Sequence, residues 1–497
     1  MDFTNKKLAE LFQNSSAEVV VIGAGLAGSE CAWQLAERGH RVALLEQRPL
    51  KKSKAHTGAQ FAELVCSNSL KSLDPSSAPG FLKEELKNLD SLILSCAFKA
   101  QVPAGQALAV DREQFSTAVT AALSSHPLVE IHQVSVESID DLRDPQTQNF
   151  SLPIVIATGP LTEESLAQSL KPLIGDQLYF YDAIAPIIAG DSINKEIAFA
   201  QNRNDKSLCG PSDGDYLNCP FNQEQYFQFL EALGGAEKVP FHEFEKPIYF
   251  QGCQPIEALL ERGPMTLAFG PMKPVGLTDP KTGGKPFAVV QLRKEDSEGR
   301  AWNLVGFQTK LKYPEQKKVF SMIPGLESAE FYRFGSLHRN TYIHSPLVLD
   351  SNFQLKKEKN IYFAGQITGV EGYLESCAIG ALVARLLCLK LESGQTAEQQ
   401  KEFPLPPAST AIGSLAHALV FGKAKNFQPL NMNWGLVPLE GIAENDKQKK
   451  EKFVTRGRRH FKHWIALFGN SKTGFGQDLQ IEANPDVSLN DGVTGTA

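Results

Sequence analysis

The apolar positions of the chain fall into a strand, glycine turn and helix pattern near residue 19 and again near residue 360. Val19 to Ile22 is a short β-branched run without polar interruption, as expected of a parallel strand covered on both faces. Gly23, Gly25 and Gly28 follow, then an amphipathic helix to about Arg38, which Gly39 ends. Val42 to Leu45 is a second strand, closing at Glu46. Residues 51–80 are polar, rich in Lys, Ser and Pro, and read as loop. Between 100 and 150 a helix opens at Asp111 among short strands, and "LPIVIATGP" (152–160) is a further buried strand ending in a Thr-Gly turn. Residues 175–330 carry no glycine fingerprint and read as a separate lobe with a helix around 222–233. The last thirty or so residues, rich in Asn, Asp, Gly and Thr, read as a disordered tail.

Glycine triplets occur by chance, so context decides their meaning. Here a strand precedes the triplet, a helix opens on it, and Glu46 ends the next strand about twenty residues on, the arrangement of a dinucleotide site. Gly23 allows the tight turn, Gly25 lets the backbone approach a pyrophosphate, and Gly28 permits close helix–strand packing. The amide groups at the helix N-terminus, around Ala24, Leu26 and Ala27, face the phosphates, and Glu46 would accept from ribose hydroxyls. FAD and NAD share this fingerprint. The later glycine turns, Ala157-Thr158-Gly159 and Phe363-Ala364-Gly365-Gln366, favour FAD, because two-part flavoproteins use such a second turn to seat the ribityl chain and the flavin.

Composition narrows the partners. A formal net charge of -6 over 497 residues gives no general attraction to nucleic acid, so any RNA contact must come from a local basic patch. No apolar run reaches the roughly 20 residues of a membrane helix, and the polar N-terminus lacks a signal-peptide core. The eight cysteines form no framework and no zinc spacing, which points to free thiols in the reducing cytoplasm and to no metal. Cys31, Cys96, Cys377 and Cys388 sit in apolar helices and read as core, while Cys209 and Cys219 fall in a turn-rich stretch poor in further ligands. Cys66, in "AELVCSNSLKS", and Cys253, just before a helix starting near Pro255, lie in polar loops, where position alone leaves structural and reactive readings both open. The same holds for the donor cluster His338-Arg339-Asn340 and for Lys273 between its two prolines. The segment "KQKKEKFVTRGRRHFKHW" interleaves Lys and Arg with aromatics, which suits either RNA or an amphipathic helix covering an apolar face.

Taken together, "VIGAGLAGSECAWQLAERGHRVALLEQRP", "AELVCSNSLKS", "LAVDREQFS", "DGDYLNCPF", "QGCQPIEALLERGPMTLAFGPMKPVGL", "FQTKLKYPEQKKVFSMIPGLE" and "IYFAGQITGVEGYLESCAIG" resemble the TrmFO family of folate- and FAD-dependent tRNA (uracil-5-)-methyltransferases, relatives of the GidA (MnmG) flavoproteins. The resemblance runs from about 17 to 440. It implies an α/β fold: a doubly wound, Rossmann-type FAD-binding domain (17–180 with 330–440) interrupted by an inserted lobe (181–329), after an N-terminal extension (1–16) and before a basic segment (441–464) and the tail (465–497). It implies a cytoplasmic enzyme that makes 5-methyluridine in the T-loop of tRNA, with 5,10-methylenetetrahydrofolate as carbon donor, FAD as carrier and reductant, and NADH or NADPH as electron source. DNA and membrane are not expected partners. By the same resemblance Cys253 is the thiolate that adds to uracil C6 and Cys66 assists at C5 or protects the flavin, with the two roles exchangeable. A ribosomal RNA substrate, a GidA-like wobble-uridine activity and a plain NAD(P)H–flavin oxidoreductase are the alternatives.

Overall fold

The computed structural model describes residue 8 and residues 16–53, 55–144, 146–176, 178–205, 214–240, 249, 254–393, 404–425 and 427–466. Five parallel strands form its central sheet, in the order Ile361–Phe363, Ile154–Ile156, Val19–Ile22, Val42–Glu46 and Val129–Gln133. All five positions of Val42–Glu46 are buried, as continuous apolar strands between covering helices must be. From Val19–Ile22 the chain winds outward on one side as far as Val129–Gln133, then returns to Ile154–Ile156 on the other. The order therefore reverses between the strands ending at Ile22 and Ile156, and ligands of such sheets bind beyond the carboxyl ends at this crevice. The fold is the expected α/β arrangement.

A second sheet of six strands, with antiparallel pairings, runs in the order Phe199–Ala200, Tyr216–Phe221, Ala288–Lys294, Ala301–Leu304, Ile187–Ala189 and Phe331–Arg333. Helix Gln223–Gly235 packs on it, opened by a reciprocal Asn222–Gln225 capping box. The ribbon Leu178–Ile184 with Ser336–Tyr342 joins the two sheets' territories. Two large apolar cores result, one from Leu8 and residues 19–180 and 342–464, the other from 188–329, beside a small cluster of Val102, Ala104 and Ala109.

Three local expectations change. Residues 51–80 are not all loop: Ser69–Ser72 is a strand pairing with Ala107–Val110, and Ser77 caps a helix at Ala78–Lys87. The strand is polar in composition because only Leu70 of its four residues is buried. Cys219 lies on strand Tyr216–Phe221 with no exposed surface, not in a turn; Cys209 lies outside the described residues. The basic segment is helix Lys449–Ile465, whose Phe453, Phe461 and Trp464 are buried in the first core. That removes the aromatics from base stacking and makes the helix a cover over an apolar face. No helix of the described residues is long and apolar enough to cross a membrane.

Candidate active site

The crevice at the sheet's switch point is a cleft of about 1090 Å³ counted to its open mouth. The turn after Val19–Ile22 brings Gly23, Gly25, Leu26 and Ala27 to it, the next strand brings Glu46, and the turn after Ile154–Ile156 brings Thr158 and Gly159. Gln366 and Tyr373 reach it from the second glycine turn. Gly28 and Gly365 shape it from behind. A Cβ on Gly28 would sit 1.8 Å from the Gly23 carbonyl oxygen, and one on Gly365 (φ +79°) 2.4 Å from the Ala27 Cβ, so neither position accepts another residue without moving backbone.

The cleft fits FAD. No side chain caps helix Leu26–Ala36, so its first amide groups remain for a pyrophosphate. A Cβ on Gly25 or Gly159 would meet nothing within 4 Å, which leaves both backbones approachable.

Glu46 is more committed than expected. Its Oε2 accepts from the Ala24 amide at 2.8 Å and from Arg48 Nη2 at 3.2 Å, and its Oε1 accepts from the Arg48 amide at 3.0 Å and Arg48 Nε at 2.9 Å. Those four donors occupy the carboxylate's acceptor directions, so a ribose hydroxyl meets the Glu46–Arg48 pair and not a free carboxylate. Burial pushes the Glu46 carboxyl up, but the Arg48 hydrogen bonds and charge outweigh it and hold it below the usual carboxylate range.

Cys66 does not line the cleft itself but is tied to Tyr373, which does. Its Sγ lies 2.9 Å from the Tyr373 hydroxyl oxygen, which also accepts from the Cys66 amide at 2.8 Å and the Ser67 amide at 3.2 Å. Tyr373 lines the cleft, so one ring is shared by the dinucleotide site and the thiol loop. Arginines from distant positions fix that loop. Arg333 Nη1 donates to the Val65 carbonyl at 2.9 Å, Arg112 Nη1 to Leu64 at 2.6 Å, and Arg293 to Asn68 Oδ1 at 2.8 Å and Ser67 Oγ at 2.9 Å. Asn68 in turn donates to Val110 and Lys294 carbonyls, tying the loop to both cores. Burial, with Asp182 and Glu371 adding, pushes the Cys66 thiol up to about 12, against opposing effects of the Tyr373 hydrogen bond and Arg112. The side chain is therefore a thiol, not a thiolate, at neutral pH. Glu371, in the turn before Tyr373, is buried and held well above the carboxylate range, first by burial and then by Asp182.

Cys253 lies outside the described residues. The helix after it begins at Ile256, with Pro255 as its cap, and runs five residues. His338, Arg339 and Asn340 alternate along strand Ser336–Tyr342, where Arg339 stacks on Tyr179 and Asn340 donates to Asp182, so they form parts of a ladder and not one donor cluster.

A TrmFO from Geobacter sulfurreducens named methylenetetrahydrofolate–tRNA-(uracil-5-)-methyltransferase is 50% identical over 450 residues, covering 90% of this chain and 99% of that one. The chain belongs to the TrmFO family. Relatives of the same name from Nitratidesulfovibrio vulgaris (49% identical, 90% of each chain) and Halalkalibacterium halodurans (50%, 90% of this chain and 97% of that one) agree. The family model "Glucose inhibited division protein A" matches residues 18–395. Among solved structures, Aquifex aeolicus GidA superposes with a TM-score of 0.63 at 14% identity, over 93% of this chain and 76% of that one, a likeness of fold.

Sequence reasoning did not find Arg48, Arg112, Arg293, Arg333 or Glu371. The Glu-x-Arg spacing of Glu46 and Arg48 was the one local signal available; the others meet the loop only through the fold.

Proposed function

We propose that this chain is a cytoplasmic methylenetetrahydrofolate–tRNA (uracil-5-)-methyltransferase acting on the T-loop uridine, with NADH or NADPH as electron source. The observation that carries the reading is Tyr373, which lines the dinucleotide cleft while its hydroxyl holds the loop of Cys66. A plain flavin oxidoreductase has no use for a thiol loop tied to the ring that lines its cofactor cleft. FAD, when bound, carries the folate-derived carbon and supplies the electrons that complete the methyl group. The chain's own residues bind, orient and exclude water. The Gly23–Gly28 turn and the open helix end receive the pyrophosphate, and the Glu46–Arg48 pair receives the ribose.

Uracil C5 is a poor nucleophile until a group adds at C6 and builds enolate character. Cys253 is the adding thiolate, and it leaves again by β-elimination once C5 has lost its proton. The raised pKa of Cys66 supports this division, because a group that stays a thiol at neutral pH is a poor nucleophile. Cys66 then assists proton movement at C5 or shields the cofactor.

The test is to incubate the holoenzyme with unmodified tRNA transcript, methylenetetrahydrofolate and NADH and to assay 5-methyluridine by mass spectrometry. Methylation of the T-loop uridine, lost in both Cys66→Ala and Cys253→Ala, is the expected result. Modification of a ribosomal RNA fragment instead would keep the chemistry and change the substrate. NADH consumption without methylation of either RNA would leave only the oxidoreductase.

A further inference from the structure

Helix Lys449–Ile465 divides its residues between two tasks. Phe453, Gly457, Phe461 and Trp464 face inward, where Gly457 is required because a Cβ would lie 2.3 Å from the Phe81 ring, and Trp464 Nε1 donates to the Pro404 carbonyl at 2.8 Å. Four Lys and Arg side chains also serve the fold, Lys449 by donating to the Glu444 carbonyl at 2.8 Å. Arg458 makes a two-pronged pair with Glu84 at 2.6 and 2.8 Å, Lys452 pairs with Asp446 at 2.6 Å, and Arg456 donates to the carbonyls of Leu439 and Pro438. The others do not. On the side away from the core, Arg459 and Lys462 are exposed and make no ion pair among the described residues, and Glu451 is the one acid on the helix.

We infer that the outward face of this helix is a docking surface for the phosphodiester backbone of the RNA substrate. The inference rests on the tRNA reading above. Unpaired cations gathered on a chain of net charge -6 create a local field that the whole molecule lacks. A membrane surface fits poorly, because helices that lie in that interface insert an apolar face, and here that face is already spent in the core. The surface is also joined to the site. Glu84 and Phe81 belong to helix Ala78–Lys87, whose Lys83 donates to the Ser72 carbonyl at 2.7 Å, on the strand that begins three residues after Cys66. An RNA held on the helix is therefore held in fixed relation to the thiol loop.

The test measures binding of labelled, unmodified tRNA transcript to holoenzyme across a salt series, for the wild type and for Arg459→Glu/Lys462→Glu. The Kd should rise about tenfold or more, and the slope of log affinity against log salt should flatten by about 2. In methylation, KM for tRNA should rise while kcat, FAD content and RNA-independent NADH oxidation stay unchanged. The Arg459→Gln/Lys462→Gln variant should show a smaller shift in the same direction, which separates lost charge from misfolding. Wild-type binding to ribosomal RNA alone, with the same dependence on these residues, would support the surface and move the substrate. A Kd within twofold and an unchanged slope, in a chain that does bind tRNA, would overturn the surface while leaving the methyltransferase reading intact. Weakened binding to anionic vesicles with tRNA affinity intact would overturn it in favour of a membrane. A wild type that binds neither RNA would overturn both.

Discussion

Glu46, in the cleft, and Cys66, tied to the cleft through Tyr373, are held by opposite kinds of contact. Around Glu46 the partners are close in the chain: Arg48 is two residues away and Ala24 is 22. Around Cys66 they come from Arg293, Arg333 and Tyr373, the last 307 residues away. The electrostatics differ in the same sense. A carboxylate with a guanidinium at hand is kept charged, whereas a thiol enclosed with two acids nearby is kept neutral. A locally encoded end is suited to a constant ligand; an end assembled from both cores can respond to what enters between them.

The largest effect should come from breaking the local end at its backbone. Gly28→Val places atoms inside the Gly23 carbonyl, and we expect a loss above roughly 3 kcal/mol with no FAD retained after purification. A yellow, folded protein would refute the close-packing argument.

Arg48→Ala leaves a buried carboxylate without its cation, which costs about 3–5 kcal/mol. Glu46 now has a depressed pKa, so its stabilisation is present above the ordinary carboxylate pKa and is lost as pH falls through the lower, folded value. The deficit of Arg48→Ala should accordingly be widest at neutral pH and shrink toward pH 4. Urea melts of the two proteins at several pH values check it; a constant gap would mean that Arg48 acts by packing alone.

At the other end, Tyr373→Phe keeps the ring in the cleft and removes the acceptor from two backbone amides, for about 1–3 kcal/mol. FAD content should hold while methylation falls. If methylation is unchanged, the shared ring is structural and the link between cofactor and thiol is lost.

The gentlest probe leaves the chain intact. With its pKa near 12, Cys66 should react with iodoacetamide roughly a hundredfold more slowly at pH 8 than an ordinary free cysteine. The rate should climb steadily to pH 10 without levelling, read by mass spectrometry of the Cys66 peptide. A plateau near pH 8.5 would show an unperturbed thiol.

Legibility followed chain separation. The first strand, its helix, the second strand and Glu46 were readable because each is specified within a few residues by period, glycine and carboxylate placement, and the structure puts Thr158, Gly159 and Gln366 at the same crevice. Residues 69–72 were not readable as a strand, because their polar sequence pairs through backbone and buries one side chain. The basic segment was ambiguous for a related reason: spacing shows that Phe453, Phe461 and Trp464 can share a face, but what meets that face is Phe81 and Trp434, far away in sequence.

The sequence by itself determined the dinucleotide turn, the parallel α/β core and, through its resemblance, the family. Those features rest on interactions among near neighbours, and a short pattern suffices to encode them. Only the tertiary structure decided that Arg48 saturates Glu46, that Tyr373 joins the cleft to Cys66, and that the aromatics of the basic helix point inward. Each depends on which surfaces the folded chain excludes from water, and burial and charge then set the state of every group it encloses.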